Sequence, residues 1–405
     1  MTDLTVTIPE LVLPVLSILV YRLLPGTYRT LPIILVFILG VLAHHGVSLT
    51  NLLTGLPGTE GDSYYFHLNA FYAVDDGRYP IISIGTGVYE WLLVAVYSVL
   101  GPTKLNGQSL SILCGAVSIV MTMQMAHCLE VNNVRAMLLL ICLMLTPTHL
   151  FFTSITFREP FQLIGLTGGF LFFMLATMNR NWWYCVPGVL MFLFMGLFHH
   201  VLLALAAALS TIGLIIVFFN TVASRKVSVS ISLLTLVAMT FAGYFLVTMI
   251  PASPGNDYIE MLLASENISH FIFRYREAVD SANPRTTYGF MVETFDWRAA
   301  LAGLSRSYLY YIGGPWPHEL DKAIDYVPFV NSIARTTLII ACVYLVFRGH
   351  GNKSVVSLLL LFFLVTLMWS IGSTNYGQAF RHNVQTDWIL FLVFAVCFPR
   401  VSSKW

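Results

Sequence analysis

Val88-Tyr89-Glu90-Trp91-Leu92-Leu93-Val94-Ala95-Val96-Tyr97-Ser98-Val99-Leu100 decides how the rest of the chain is threaded. The run is apolar enough to enter a bilayer, and if it crosses, every later helix is reversed. A spanning helix needs about 20 apolar residues, with roughly 17 to 25 tolerated, and this run holds only about 13. That length fits an interfacial or re-entrant helix. Laid in an interface, with Tyr89 and Trp91 at headgroup level, it leaves the charges of all the later loops in agreement.

Working outward, apolar stretches recur along the whole sequence. Of 405 residues, 57% are hydrophobic and only 10% charged, against roughly 25% charged in an ordinary soluble domain. A soluble fold of this composition could not cover its own surface. Segments 8–24, 31–47, 108–128, 135–152, 159–178, 183–198, 201–219, 227–250, 329–347, 354–371 and 385–398 each approach the length of a span. The stretch 183–219 is about twice one span and is split at His199-His200. The expected fold class is therefore an all-α polytopic membrane protein with about eleven transmembrane helices and interfacial helices in its outer loops.

Lys and Arg accumulate in short cytoplasmic loops. Arg22, Arg29, Arg135, Arg180, Arg225, Lys226, Arg348, Lys353, Arg400 and Lys404 occupy one set of loops, in which Glu130 is the only acid. The other set mixes acids and bases and is expected to face the periplasm or lumen. The resulting organisation is two N-terminal spans in 1–47, a first outer loop with surface helices in 48–107 and a transmembrane core in 108–250. A second outer domain in 251–327 follows, then C-terminal spans in 328–405 with an outer loop at 372–384. A formal charge of +1 gives no reason to expect nucleic acid. All six cysteines fall inside apolar runs, none in zinc-site spacing. The N-terminus has no basic n-region before its apolar run, so the first segment is expected to be retained.

Three polar clusters fall on the expected outer side. Glu60-Gly61-Asp62-Ser63 precedes an aromatic helix. A carboxylate there can take a proton from an acceptor hydroxyl; equally, Asp62 or Ser63 can cap the helix. Arg158-Glu159-Pro160 lies where one span ends and the next begins, a depth at which ionisable groups usually face a cavity. It also suits a helix start, with the acid favoured by the dipole and Pro in the first turn. Asn375 to Asn383 is a compact polar stretch whose Arg381 and His382 could hold phosphate oxygens, or whose Arg could snorkel to headgroups. In His44-His45 and His199-His200, helical neighbours point about 100° apart, so both members of a pair cannot face one cavity. The aromatic run from Arg306 to His318 fits an interfacial belt or a surface for a sugar ring or prenyl chain.

The order of these features resembles the GT-C superfamily of membrane glycosyltransferases, which includes protein O-mannosyltransferases and bacterial lipid A aminoarabinose transferases. Asp62 is similar to that superfamily's acid in the first outer loop. Tyr89-Glu90-Trp91-Leu92-Leu93 through Leu100-Gly101 looks like its aromatic-Trp-Leu-Leu helix, and Glu159 like its second acid. Arg285-Thr286-Thr287-Tyr288, Gly314-Pro315-Trp316-Pro317 and the stretch from Asn375 to His382 look like a group of bacterial envelope-polysaccharide proteins. An extra helix before the first outer loop, and the lack of a Lys-Pro-Pro stretch before Tyr89, depart from the aminoarabinose transferases.

What the resemblance implies is transfer of a sugar from a polyprenyl-phosphate carrier to a glycan, lipid or protein acceptor at the outer face, in envelope glycan synthesis. The expected location is a bacterial inner membrane, with the site facing the periplasm. Asp62 would be the base, with Glu159 aiding the acceptor or a divalent metal; no other cofactor is implied, and the metal is left open. Arg158, Arg381 and His382 would engage the carrier phosphate, with Glu60, His199, His200 and Arg285 as further binding candidates. A polysaccharide polymerase would need the same phosphate-gripping residues. A lipid-linked substrate transporter or flippase would instead put ionisable residues near the bilayer midplane, whereas only Arg335 and Asp387 lie clearly within spans, each within a few turns of the outer end.

Overall fold

A computed structural model describes residues 7–222 and 297–398. The described residues are helical, and six helices are long and apolar enough to cross a membrane. In chain order the helices are α1 (Ile8–Leu19), α2 (Leu31–Thr54), α3 (Asp62–Asp75), α4 (Thr86–Leu100), α5 (Lys104–Cys128), α6 (Asn133–Leu145) and α7 (Pro147–Phe152). They continue as α8 (Glu159–Met178), α9 (Cys185–Leu197), α10 (His200–Val222), α11 (Trp297–Gly313), α12 (Tyr326–Leu345), α13 (Lys353–Gly372) and α14 (Tyr376–Cys397). The six long apolar helices are α2, α5, α8, residues Leu202–Asn220 within α10, Ala323–His350 around α12, and α13. Segment 227–250 and the 251–296 part of the second outer domain lie outside the described residues.

The chain forms two compact units. The first holds α1 to α6, the end of α7, and α8 to α10; the second holds residues 145–148 and α11 to α14.

Within the first unit, α8 and α9 pack closely because small residues let their backbones approach. In membranes, where lipid is as apolar as Leu, such van der Waals contact is a principal attraction between helices. Gly165 and Gly169 form a Gly-xxx-Gly pair. A Cβ at Gly165 would stand 2.6 Å from the Met191 carbonyl oxygen and 2.8 Å from the Met195 nitrogen, and one at Gly169 would meet the Phe192 ring.

Side-chain bonds sort this unit into two ends. At one, the Tyr28 hydroxyl donates to the Val131 carbonyl at 2.5 Å and Gln124 donates to Leu23 at 2.9 Å. At the other, Ser48 donates to Gln108 at 2.6 Å and the Gln162 amide to the Phe198 carbonyl at 3.4 Å. The helix order then puts Arg29, Arg135 and Arg180 at the first end, beside the stacked Trp182 and Trp183. Glu60, Asp62, Arg158 and Glu159 fall at the second end.

Both ends of α4 are tied to that second end. The amide of Gly85, just before α4, donates to the carbonyl of Leu197, where α9 stops, at 2.8 Å. The carbonyls of Leu100 and Gly101 accept from Asn106, in the first turn of α5, both at 2.9 Å. The helix therefore lies across one end of the unit and does not run through it. Its partner is α3, and the connecting loop is pinned by stacking of Tyr79 on Trp91 at 5.3 Å and by Trp91 Nε1 donating to the Pro80 carbonyl at 2.9 Å.

Two sequence readings change in detail. The stretch 135–152 is not one continuous helix: α6 ends at Leu145 and Pro147 opens the short α7. The polar stretch before the last span is helical from Tyr376, with the Asn375 side chain accepting from the Gln378 amide at 2.9 Å as its cap. The division at His199-His200 matches the end of α9 at Leu197 and the start of α10 at His200.

Candidate functional site

At the second end of the first unit, five aromatic rings form a floor. Phe66 of α3 lies 5.0 Å from Tyr89 and 6.5 Å from Phe157. Tyr89 lies 5.4 Å from Phe161 and 6.4 Å from Phe198. Glu159 sits in the chain between Phe157 and Phe161, and it is 1% exposed. Its charge acts on the fully buried Tyr89 hydroxyl, whose pKa is raised by burial first, then by Tyr97 and Glu159.

Arg158 occupies the N-cap position of α8, with Glu159 and Pro160 opening the helix. The helix-start reading of this motif therefore holds, and Glu159 is deeply buried as well. Asp62 is exposed and is the first residue of α3; Gly61 takes the N-cap position, so neither Asp62 nor Ser63 is the cap. Asp62 precedes Phe66 by one turn, which puts the two on the same side of α3. The side chain of Glu60 is exposed on the turn before it. His199 is half-buried in the break between α9 and α10, and its carbonyl accepts from the Leu203 amide at 3.2 Å. His200 begins α10. Arg285 lies outside the described residues.

Arg381 and His382 belong to the second unit, in the second turn of α14, where His382 stacks on Trp369 at 3.8 Å and 12°. One turn deeper is a buried ion pair. Arg335 Nε of α12 lies 3.0 Å from Asp387 Oδ1, and both side chains are almost fully buried. Arg335 also donates to Asn383 and, at 2.8 Å, to Thr386. Its guanidinium covers the rings of Tyr311 at 5.3 Å and Phe362 at 5.4 Å. The Thr148 hydroxyl donates to the other Asp387 oxygen at 3.0 Å. The segment from Trp297 to Gly313, placed by sequence in an outer domain, forms α11 and supplies Tyr311 to this cluster.

Sequence reasoning gave no site role to two groups of the first unit. Glu90 is 9% exposed and accepts from Asn69 at 2.8 Å; burial raises its pKa, and the Asn69 bond opposes that. His67 Nδ1 lies 2.9 Å from the Tyr97 hydroxyl. Burial, and then the Lys104 charge, lower its pKa from 6.5 to about 4. His67 has no motif to flag it, and Glu90 sits inside the aromatic-Trp-Leu-Leu stretch with no role of its own there.

The depressed His67 value has a measurable consequence. Between pH 6.5 and about 4 the unfolded chain binds the proton that the folded one refuses, so stability rises with pH across that window and falls on acidification. Thermal unfolding in detergent is expected to show this acid-side loss, and His67→Gln to reduce it. An unchanged pH profile in His67→Gln would remove His67 as the cause.

Among the described residues no group of three or more His, Cys, Asp or Glu is placed to hold a metal ion. Compared with protein-family models, curated proteins and solved structures, the chain has no match. Among the described residues, the class that the fold defines is an all-helical protein with six helices long and apolar enough to cross a membrane.

Proposed function

We propose that this protein is a polytopic glycosyltransferase of GT-C-like arrangement, with about eleven spans, that moves a sugar from a polyprenyl-phosphate carrier to a glycan, lipid or protein acceptor. The reaction takes place at the periplasmic face of a bacterial inner membrane and serves envelope glycan synthesis. The observation that carries the proposal is the company of Asp62, Arg158 and Glu159 at one end of the first unit, opposite the Arg-rich end. By the positive-inside bias the Arg-rich end is cytoplasmic.

In the proposed step an acceptor hydroxyl oxygen attacks the anomeric carbon and the bond from that carbon to the carrier phosphate oxygen breaks, inverting the centre. The hydroxyl proton passes to Asp62, whose exposure lets an acceptor reach it. Arg158 offsets the charge that develops on the leaving phosphate. Glu159, buried beneath, orients the acceptor side of the site.

A second reading, a transporter or flippase of a lipid-linked substrate, is favoured by one observation: Arg335 and Asp387 are ionised residue types inside membrane helices, a usual mark of a substrate path. Their mutual pairing, and the hydrogen bonds around them, fit an internal brace better. The two readings separate in proteoliposomes supplied with polyprenyl-phosphate-linked sugar on one side. The transferase forms glycosylated product, and Asp62→Asn does not. Movement of intact carrier without product would favour transport.

A further inference from the structure

Helix α4 is inside out for a helix lying on a surface in water. Such a helix turns its apolar side to the protein and its polar side outward. From Thr86 to Leu100 the one charged residue is Glu90, and it is buried on the inward side with Tyr89 and Tyr97. Past Thr86 the outward side carries Val88, Trp91, Leu92, Ala95, Val96 and Val99, the last of them 79% exposed. Val88, Leu92, Ala95 and Val99 follow the spacing of a single helical stripe. The loop that leads into the helix adds Ile81 and Ile82, 71% and 63% exposed. Tyr89, expected from sequence at headgroup level, is instead fully buried, and of that pair only Trp91 reaches the surface.

The polar side chains on this face beyond Thr86 are bonded within the protein. Trp91 Nε1 donates to the Pro80 carbonyl at 2.9 Å, and the Ser98 hydroxyl to the Val94 carbonyl at 2.8 Å. Groups at the helix ends are covered too. The Val88 amide donates to the Ser83 carbonyl at 3.0 Å, and the Leu100 and Gly101 carbonyls accept from Asn106, both at 2.9 Å. In water such groups need no internal partner; in hydrocarbon they must have one.

Helix α3 has the opposite character. Its exposed stripe is Asp62, Tyr65, Asn69, Tyr72 and, at its C-cap, Asp76, a face suited to water and headgroups. This helix packs on the inward side of α4, where His67 Nδ1 lies 2.9 Å from the Tyr97 hydroxyl and Asn69 donates to Glu90 at 2.8 Å. On α4 those two residues point roughly opposite to the stripe from Val88 to Val99. Packed helices stand about 8–10 Å apart, so α3 is held one helix layer away from whatever covers that stripe.

We propose that the outward face of α4, with Ile81 and Ile82, is sunk in the acyl chains of the bilayer leaflet at this end of the unit, with α3 above it in the headgroup layer. Helix α4 is then an anchor that does not cross, and it sets the depth of Asp62 at the membrane surface. The occupant is lipid rather than a second copy of the chain, because interfaces between proteins carry a polar rim and this face is apolar from Val88 to Val96 apart from the internally bonded Trp91 nitrogen. The proposal rests on the membrane helices and not on the proposed reaction.

The test is spin-label accessibility in the full chain reconstituted into vesicles of phosphatidylcholine and phosphatidylglycerol. Leu92→Cys and Val99→Cys sample the outward face of α4, and Tyr65→Cys and Asp76→Cys that of α3. Unsubstituted protein treated in the same way supplies the background of the six native cysteines. Relaxation by oxygen, which concentrates in hydrocarbon, is compared with relaxation by a water-soluble nickel chelate. Oxygen should dominate at 92 and 99 and nickel at 65 and 76, so that the ratio inverts between the two helices. Val88→Cys replaces Leu92→Cys if the latter does not fold.

Nickel dominating at 92 or 99 would mean a wet face and would overturn the proposal. Protection from both reagents at either position would mean that protein covers the face, a second copy included, and would overturn lipid as the occupant. Oxygen dominating at 65 or 76 would overturn the layering of the two helices. The measurement needs no turnover, so a protein inactive in transfer that still shows the inversion would sink the transferase reading and leave the anchor standing.

Discussion

Replacing Asp387 by Leu is expected to destabilise the protein by about 3–5 kcal/mol, the usual cost of leaving one buried charge without its partner. The abandoned group is Arg335, held between the Tyr311 and Phe362 rings, where water cannot reach it. Arg335→Met alone should cost a similar amount, since it strands the carboxylate with only the Thr148 hydroxyl to support it. The double variant, Arg335→Met with Asp387→Leu, should recover most of the loss, because an apolar replacement of a buried pair is often neutral. Thermal or denaturant unfolding in detergent reads all three. Single losses that simply add in the double variant would mean that the two residues are not coupled. Losses near zero would remove the pair as a brace and restore the transport reading.

The second large effect falls on chemistry. Asp62→Asn is expected to lower transfer by about 10²- to 10⁴-fold, the range contributed by a positioned general base. Folding and carrier binding should stay intact, because Asp62 is exposed at the first position of α3 and does not occupy its cap. Glu159→Gln differs in kind. Its side chain is 1% exposed and acts on the buried Tyr89 hydroxyl, so a loss of transfer there should come with a measurable change in stability. Near-normal turnover in Asp62→Asn would take that residue out of the base role, whatever Glu159 does.

Parts of this arrangement could be read directly from the sequence, for identifiable reasons. The short length of the apolar run at 88–100 predicts a helix that does not cross, and the bonds of Gly85 and Asn106 tie both its ends to one side. The 100° rule for His44-His45 holds too: His44 faces Met144 and Ser154, while His45 lies 3.0 Å from Ser17.

Other features were hidden, and each has a physical cause. Arg335 and Asp387 stand out as charges in apolar helices, but 52 residues separate them and nothing local says that they pair. His149 disappears inside an apolar run read as one span. The signal was Thr146-Pro147, since Pro ends one helix and opens another. Glu90 is part of an aromatic-Trp-Leu-Leu stretch, where a lone acid looks like the wet side of a surface helix until Asn69 is seen to cover it.

The central claim is that the acids of the first outer loop and of the α8 start share the non-cytoplasmic side. Cysteines placed singly at Glu60, Arg158 and Arg180 and treated with a membrane-impermeant thiol reagent on intact cells test it most directly. Label at positions 60 and 158, with position 180 reacting only after permeabilisation, is the predicted result. Label at 180 in intact cells, or positions 60 and 158 reacting from opposite sides, would contradict it.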